Sequence, residues 1–167
     1  MRKMTEAHLK EAFAGESQAH MKYLAFADAA EKENFANIGR LFKATSFAER
    51  VHATSHLRTL SGISKTADNL QAAVDGETYE VEEMYPAFKV VAEKQEEKTA
   101  VMMFNYALEA EKVHAGLYKK AKKAVEGGKD LEYFPVQVCT VCGFTVEGQA
   151  PDKCPICGSP KEKFKQF

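Results

Sequence analysis

The pentapeptide AERVH at residues 48–52 recurs almost unchanged as AEKVH at residues 110–114. Each copy places a glutamate three positions before a histidine, and residues three apart lie on one face of an α-helix. From each copy, a carboxylate oxygen and an imidazole nitrogen can therefore point to one place. Because burying these polar groups is costly without a compensating partner, the repetition predicts a shared ligand such as a metal ion.

Four amphipathic stripes predict the surrounding fold. Throughout residues 1–126 the apolar side chains recur at steps of three and four, and no segment has the alternation typical of a strand. The third stripe begins near Thr78 and is bent or restarted at Pro86. The polar stretch 64–77 before it is interpreted as a long connection, which could serve a crossover or an exchange of helices between two chains. The pattern favours a four-helix bundle.

Each predicted helix carries at least one carboxylate on its apolar stripe. In chain order these residues are Glu16, Glu49 with His52, Glu80 with Glu83, and Glu111 with His114. Two Glu-x-x-His pairs plus a glutamate from each of two further helices make up the ligand set of ferritin-like di-iron proteins. Oxygen and imidazole donors favour iron or manganese over thiophilic metals. One such pair alone would usually be a solvated helix surface, but the combination predicts a di-iron centre.

Other polar residues on these helices are less well supported as metal ligands. His20 and His56 lie one turn from predicted ligands, where a histidine more often orients a ligand or faces solvent than binds the metal, and His8 is expected to be exposed. Tyr23 lies two turns beyond Glu16. Its hydroxyl could orient a ligand, or its ring could belong to the core.

The composition changes near residue 134. All four cysteines and four of the five prolines lie beyond this point, so only the part before it is free to be helical. We therefore predict two domains, a helical one over residues 1–134, with a linker at 127–134, and a small metal-binding one over residues 135–167.

The cysteines form two Cys-x-x-Cys motifs, CTVCGF at 139–144 and CPICGS at 154–159. The four thiolates are those of Cys139, Cys142, Cys154 and Cys157. Such spacing predicts a tetrahedral site for iron or zinc, and a structural zinc ribbon has the same spacing. A thiolate-bound iron can pass single electrons and zinc cannot, so iron suits a site that accompanies a di-iron centre.

Charge and hydropathy restrict the partners. The formal net charge of -1 gives no reason to expect binding to nucleic acid or to an anionic membrane. The start MRKMTEAHLKE has no apolar signal region, and no run approaches the roughly 20 apolar residues of a membrane-spanning helix. We therefore expect a cytoplasmic protein whose partners are small molecules or other proteins.

The chain resembles a known family over essentially its whole length. The segments AFAGESQAHMKY, FAERVH, EVEEMYP and EAEKVH, followed by the two cysteine motifs, occur in the order found in rubrerythrins. The resemblance implies an all-α ferritin-like four-helix bundle with a C-terminal rubredoxin-like domain. It also implies an NAD(P)H-linked peroxidase that reduces hydrogen peroxide to water in the defence against oxidative stress. Its electrons would come from a donor such as rubredoxin or an NAD(P)H-dependent reductase, through the mononuclear four-cysteine iron.

The resemblance also implies roles for the ligands. Glu49 and Glu111 would bridge the two irons, Glu16 would bind the first iron, and Glu80 with His114 would bind the second. His52 and Glu83 would exchange as ligands of the first iron when the redox state changes. A head-to-tail homodimer is implied, in which the tail of one chain serves the di-iron site of the other.

Two other functions are compatible with parts of the sequence. A ferroxidase or iron-storage protein would use oxygen and would need the carboxylates without an electron-feeding tail. A non-enzymatic binding protein would use a zinc ribbon to recognise a partner and the helices as scaffold. Metal content, together with peroxide and oxygen consumption, separates these functions from a peroxidase.

Overall fold

The structure, a computed structural model, describes residues 1–167, which form two compact units, Met1–Ser64 and Lys65–Phe167. The first unit is an antiparallel pair of long helices, α1 (Lys3–Lys32) and α2 (Ala36–Thr59). Between them Asn34 adopts a positive φ of 67°, a conformation that asparagine tolerates better than most residues. None of the helices in either unit combines the length and the apolar character needed to cross a bilayer.

Small residues allow α1 and α2 to pack closely. Ala27 and Ser46 are completely buried, and Ala30 and Ala53 are nearly so. A Cβ atom at Gly39 would lie 3.2 Å from the Ala27 carbonyl oxygen and 2.8 Å from the Glu31 side chain. The glycine therefore permits an approach that a larger residue would prevent.

The second unit begins with three helical segments that lead into one long helix. These are α3 (Thr66–Tyr79), a π-helix (Glu80–Met84), α4 (Tyr85–Lys94) and α5 (Lys98–Glu126). Pro86 lies in the first turn of α4, directly after the π-helix, and its ring fixes a φ that suits a helix. If α3, the π-helix and α4 are counted as one interrupted helix, the chain has the four helices that the sequence predicts.

The interpretation of residues 64–77 as a connection is wrong. The helix α3 begins at Thr66, because Ala67, Leu70 and Val74 recur at helical spacing and face inward. The polar residues of this stretch lie mostly on the exposed side of the same helix. Only residues 60–65 connect α2 to α3.

A small sheet completes the second unit. Its strands are β1 (Val136–Cys139), β2 (Thr145–Glu147) and β3 (Phe164–Gln166), in the antiparallel order β2-β1-β3. Buried cysteines form its core, with Phe144, Phe164 and Tyr106 of α5 packed around them. Strand β1 begins at Val136, two residues after the predicted linker 127–134 ends. The division of the chain into domains at residue 134 stays a prediction, since the two compact units divide at residue 64 instead.

Candidate metal centres

The first unit brings three predicted ligands together. Glu16 of α1 and the Glu49–His52 pair of α2 have ligand atoms that all lie within 4.8 Å of one another. The His52 Nδ1 atom lies 2.9 Å from Glu49 Oε2 and 3.8 Å from Glu16 Oε1. The His52 side chain is 56% exposed, so only its Nδ1 side is held by the group.

The second unit contains a corresponding group with one unexpected member. Glu111 and His114 of α5 are joined by Glu77 of α3, again with all ligand atoms within 4.8 Å. The His114 Nδ1 atom lies 2.5 Å from Glu111 Oε2 and 4.0 Å from Glu77 Oε1. On the other side of the ring, Nε2 lies 2.9 Å from Thr145 Oγ1 and 3.3 Å from the Gly143 carbonyl oxygen.

The glutamates predicted for the third helix lie in different surroundings. Glu80, at the start of the π-helix, lines the same cleft as Glu77, Glu111 and His114. Glu83 is exposed and belongs to neither three-ligand group. Glu77 is not among the ligands predicted from the sequence, although it follows Ala67, Leu70 and Val74 on one stripe of α3.

An internal repeat explains this arrangement. The Gly-Glu pair at 15–16 returns at 76–77, an offset of 61 residues, whereas Tyr23 and Tyr85 differ by 62, as do Glu49 and Glu111. The π-helix lies between Glu77 and Tyr85, and a π-helical bulge accommodates one extra residue in a helix. The two halves of the chain therefore match on both sides of this insertion, and Glu77 is the counterpart of Glu16.

The carboxylates of the second group repel one another, as expected of a cation site. Burial raises the pKa of Glu77 to about 8, with further contributions from its hydrogen bond to Glu111 and from the charges of Glu111 and Glu80. Burial and the charge of Glu111 also raise the pKa of Glu80, against the opposing effect of His114. A divalent or trivalent cation would relieve this repulsion, and the oxygen and imidazole donors suit iron or manganese.

An aromatic trio lies on the same helices as each group. Tyr23, Phe26 and Phe42 have ring centroids 5.6–6.3 Å apart in the first unit, and Tyr85, Phe88 and Phe104 have centroids 5.8–6.5 Å apart in the second. Burial is the largest cause that raises the pKa of Tyr85, and the negative charges of Glu80, Glu111 and Glu77 raise it further. Tyr85 is thus close to the carboxylates. It is the repeat counterpart of Tyr23 but is not among the residues predicted from the sequence to lie near the site.

The remaining histidines do not belong to these groups. His20 bridges α1 and α2, because its Nδ1 atom lies 2.8 Å from Ser46 Oγ and 3.0 Å from the Ser46 carbonyl oxygen. The Ser46 hydroxyl in turn donates to the His20 carbonyl oxygen at 2.9 Å. His56 and the exposed His8 are likewise outside both three-ligand groups.

The four cysteines converge as predicted. Their sulfur atoms lie within 4.8 Å of one another, with Cys142 and Cys154 separated by 3.4 Å and Cys139 and Cys157 by 3.6 Å. A metal with bonds of about 2.3 Å to four tetrahedral sulfurs needs edges of a little under 4 Å. Gly143 and Gly158, which follow the two motifs, have φ values of +81° and +73°, which allow each chain turn to close around the sulfurs.

The four thiols are not equivalent. Burial raises the pKa of Cys142 far above its ordinary value, and it also raises that of Cys154. Burial acts in the same direction on Cys157, but hydrogen bonds from the hydroxyl and the backbone N–H of Ser159 lower its pKa on balance to about 6. The Ser159 groups therefore favour the thiolate form of Cys157, which is the form that binds a metal. A cation that replaces the thiol protons fits the whole set.

Comparison with known proteins agrees with this geometry. Residues 8–122 match the rubrerythrin family, and residues 137–165 match the rubrerythrin rubredoxin-like domain. Rubrerythrin-2 of Clostridium acetobutylicum is 43% identical over 98% of this chain and 97% of its own length. Nigerythrin of Nitratidesulfovibrio vulgaris is 34% identical over 98% of this chain and 86% of its own length.

Solved structures of nigerythrin also match. The fully reduced, all-ferrous state superposes with a TM-score of 0.58 at 34% identity, covering 98% of this chain and 86% of the other. The predicted ferritin-like fold with a four-cysteine domain is confirmed, as is the presence of the two kinds of iron ligand set. With both family models matched in order along the sequence, this chain belongs to the rubrerythrin family.

Proposed function

We propose that this chain is a peroxidase that reduces hydrogen peroxide to water at a non-haem di-iron centre, with electrons delivered through an iron bound by the four cysteines. One observation carries the proposal. A single chain combines two Glu-Glu-His groups with a four-thiolate site, and the segment after Cys142 contacts His114 of one group. A ferroxidase would need only the carboxylate groups, and a zinc ribbon only the cysteines.

The family agrees with this chemistry, because rubrerythrins are in general di-iron proteins that reduce peroxide under oxidative stress. Iron bound by the Glu-Glu-His groups would supply the two electrons that, with two protons, convert one hydrogen peroxide into two waters. The residues of the chain fix the donor atoms in position and hold the negative charge that keeps the metal bound.

Each ligand then has a proposed role. Glu49 and Glu111 would bridge the metals, as the family resemblance implies, and in each group this glutamate is the one nearer to the histidine. Glu16 and His52 complete the first set of donors, whereas Glu77 and His114 complete the second. The proposal thus gives Glu77 the role that the family resemblance had assigned to Glu80.

We further propose that His52 and Glu80 exchange as ligands of the first iron. His52 is largely exposed and held on one side only, so it can turn away, and Glu80 is the extra carboxylate beside the second group. A neutral imidazole suits the less charged ferrous pair, and an added carboxylate suits the ferric pair. The resemblance had assigned this exchange to Glu83, but Glu83 is exposed. Crystals of reduced and oxidised protein with identical ligands at the first iron would contradict the exchange.

The proposed assembly is a homodimer in which α1 and α2 of one chain pair with α3 to α5 of the other. A ferritin-like bundle needs one long crossover between its second and third helices. Glu49 lies ten residues before the end of α2, and Glu77 lies eleven residues after the start of α3. If both ligands were to meet at one site within one chain, the connection would have to run back along both of these stretches, about 30 Å at 1.5 Å per residue. The six residues 60–65 reach only roughly 20 Å.

Exposed apolar side chains on both units support this exchange. Phe26 and Phe47 of the first unit are 47% and 56% exposed, and Phe88 and Met103 of the second are 47% and 46% exposed. A second copy of the chain would cover them, because it offers the complementary pair of helices. We also propose a cytoplasmic location and a one-electron donor such as rubredoxin, or a reductase that uses NAD(P)H.

Metal analysis of anaerobically purified protein tests the function. We expect about three irons per chain, a red ferric-thiolate colour, and steady consumption of peroxide with reduced rubredoxin as donor. As a control, Cys139→Ala should lose steady turnover but retain one stoichiometric reaction after chemical reduction. A colourless protein with one zinc per chain, or one that consumes oxygen in preference to peroxide, would contradict the proposal.

A further inference from the structure

The Thr145 hydroxyl contacts His114 on the side of the ring opposite the carboxylates. Thr145, on strand β2, is 9% exposed, and its Oγ1 atom lies 2.9 Å from His114 Nε2 and 3.0 Å from the Gly143 carbonyl oxygen. The hydroxyl has one hydrogen, and the carbonyl can only accept it. Thr145 therefore donates to Gly143 and accepts from His114, which places the imidazole proton on Nε2.

This tautomer leaves the other nitrogen free for a metal. His114 Nδ1 faces Glu111 and Glu77, and a bound metal would take the place of the proton in the hydrogen bond between Nδ1 and Glu111, while Nε2 keeps its own proton. His52 differs, since its only hydrogen bond is from Nδ1 to Glu49 within its own group. Partners of this kind orient a metal-bound histidine and raise its basicity. We propose that Thr145 is a positioning residue that fixes the ring and tautomer of His114 and couples the four-cysteine segment to this ligand.

The connection between the two sites is short. Cys142 is bonded directly to Gly143, whose carbonyl oxygen lies 3.3 Å from His114 Nε2. The Cα of Gly143 also approaches α5, since a Cβ there would lie 3.8 Å from that of the buried Ala110. If iron occupied both sites, the Cys142–Gly143 backbone and the His114 ring would offer a short route for the two single electrons that each peroxide needs.

This inference depends on the proposed function only for the electron transfer, so its first test does not use activity. In zinc-loaded protein, ¹⁵N NMR reports the tautomer of His114 and the exchange of its Nε2 proton. Thr145→Val removes the hydroxyl with little change in volume, and Thr145→Ser keeps it. We expect Thr145→Val to speed exchange of this proton at least about tenfold, with Thr145→Ser near wild type.

The matched control is Thr140, which lies in the first cysteine motif but donates to the Lys163 carbonyl oxygen at 2.8 Å instead of contacting His114. Thr140→Val should leave the His114 signals unchanged. A Thr145→Val protein with the same His114 signals as Thr140→Val would overturn the positioning role, whether or not the protein is a peroxidase.

The second test follows the electrons. After fully reduced protein is mixed with one equivalent of peroxide, the ferric-thiolate absorbance should rise about tenfold more slowly in Thr145→Val than in Thr145→Ser or Thr140→Val. Equal rates would overturn the link between the sites.

Discussion

Glu77 faces His114 as Glu16 faces His52, with oxygen-to-Nδ1 distances of 4.0 Å and 3.8 Å. The correspondence supports the proposal that Glu77 is the fourth helix-borne carboxylate of the di-iron ligand set. Replacing Glu77 with alanine should weaken ferrous or zinc binding to the second group at least about 100-fold, since loss of even an outer partner costs 10- to 100-fold. Competition with a chromogenic chelator would measure this loss of metal affinity.

Two neighbouring glutamates provide the comparison. Glu83→Ala should bind metal like the wild type, because Glu83 is exposed and outside the group. Glu80→Ala should have an intermediate effect, because Glu80 lines the cleft without belonging to the three-ligand group. A larger loss from Glu83→Ala than from Glu77→Ala would restore the assignment made from family resemblance.

Stability of the metal-free protein should depend on pH through Glu77. Its pKa is about 8 in the folded chain against an ordinary value of 4.5, so between these values the folded state holds a proton that the unfolded state has released. Stability therefore falls as pH rises from about 5 to 8. Glu77→Gln should flatten this part of the profile of thermal midpoint against pH.

Glu82 provides the control for this effect. It is exposed on the neighbouring π-helix, and Glu82→Gln should leave the pH profile of the wild type unchanged. If Glu77→Gln and Glu82→Gln gave the same slope, the raised pKa of Glu77 would not be the cause of the pH dependence.

Exchange of helices predicts a particular complementation. A Glu49→Ala chain and a His114→Ala chain are each inactive alone, but in an exchanged heterodimer one of the two sites contains only intact residues. We expect about half of the wild-type turnover from heterodimers purified through two different affinity tags. Without exchange, each site would retain one defect, and such heterodimers would be inactive.

The His20–Ser46 bridge should matter for the stability of the first unit and not for its metal. Ser46→Ala removes two hydrogen bonds at a fully buried position, at a cost of about 1–3 kcal/mol in the free energy of unfolding. Ser55→Ala is the matched control, because the Ser55 hydroxyl is exposed and bonds only to its own helix. Denaturant unfolding measures both, and a loss of metal binding in Ser46→Ala with unchanged stability would contradict this role.

Most of the site followed from local patterns. The pairs at Glu49–His52 and Glu111–His114 depend only on the helical repeat, and the cysteine motifs depend only on spacing along a tight turn. The choice of Glu80 and Glu83 did not include Glu77 because residues 64–77 were interpreted as a connection, whereas α3 already begins at Thr66. The π-helix also inserts one residue, which shifts the helical period between Glu77 and Tyr85.

The sequence by itself determined the ligand types, the helical class and the four-cysteine site, because these depend on interactions between residues close together in the chain. Tertiary structure decided which carboxylates meet a histidine, since these lie on different helices. It also brought Thr145 to His114, 31 residues away, through the packing of strand β2 against α5. No local periodicity encodes such a contact, because it depends on how the two elements pack in three dimensions.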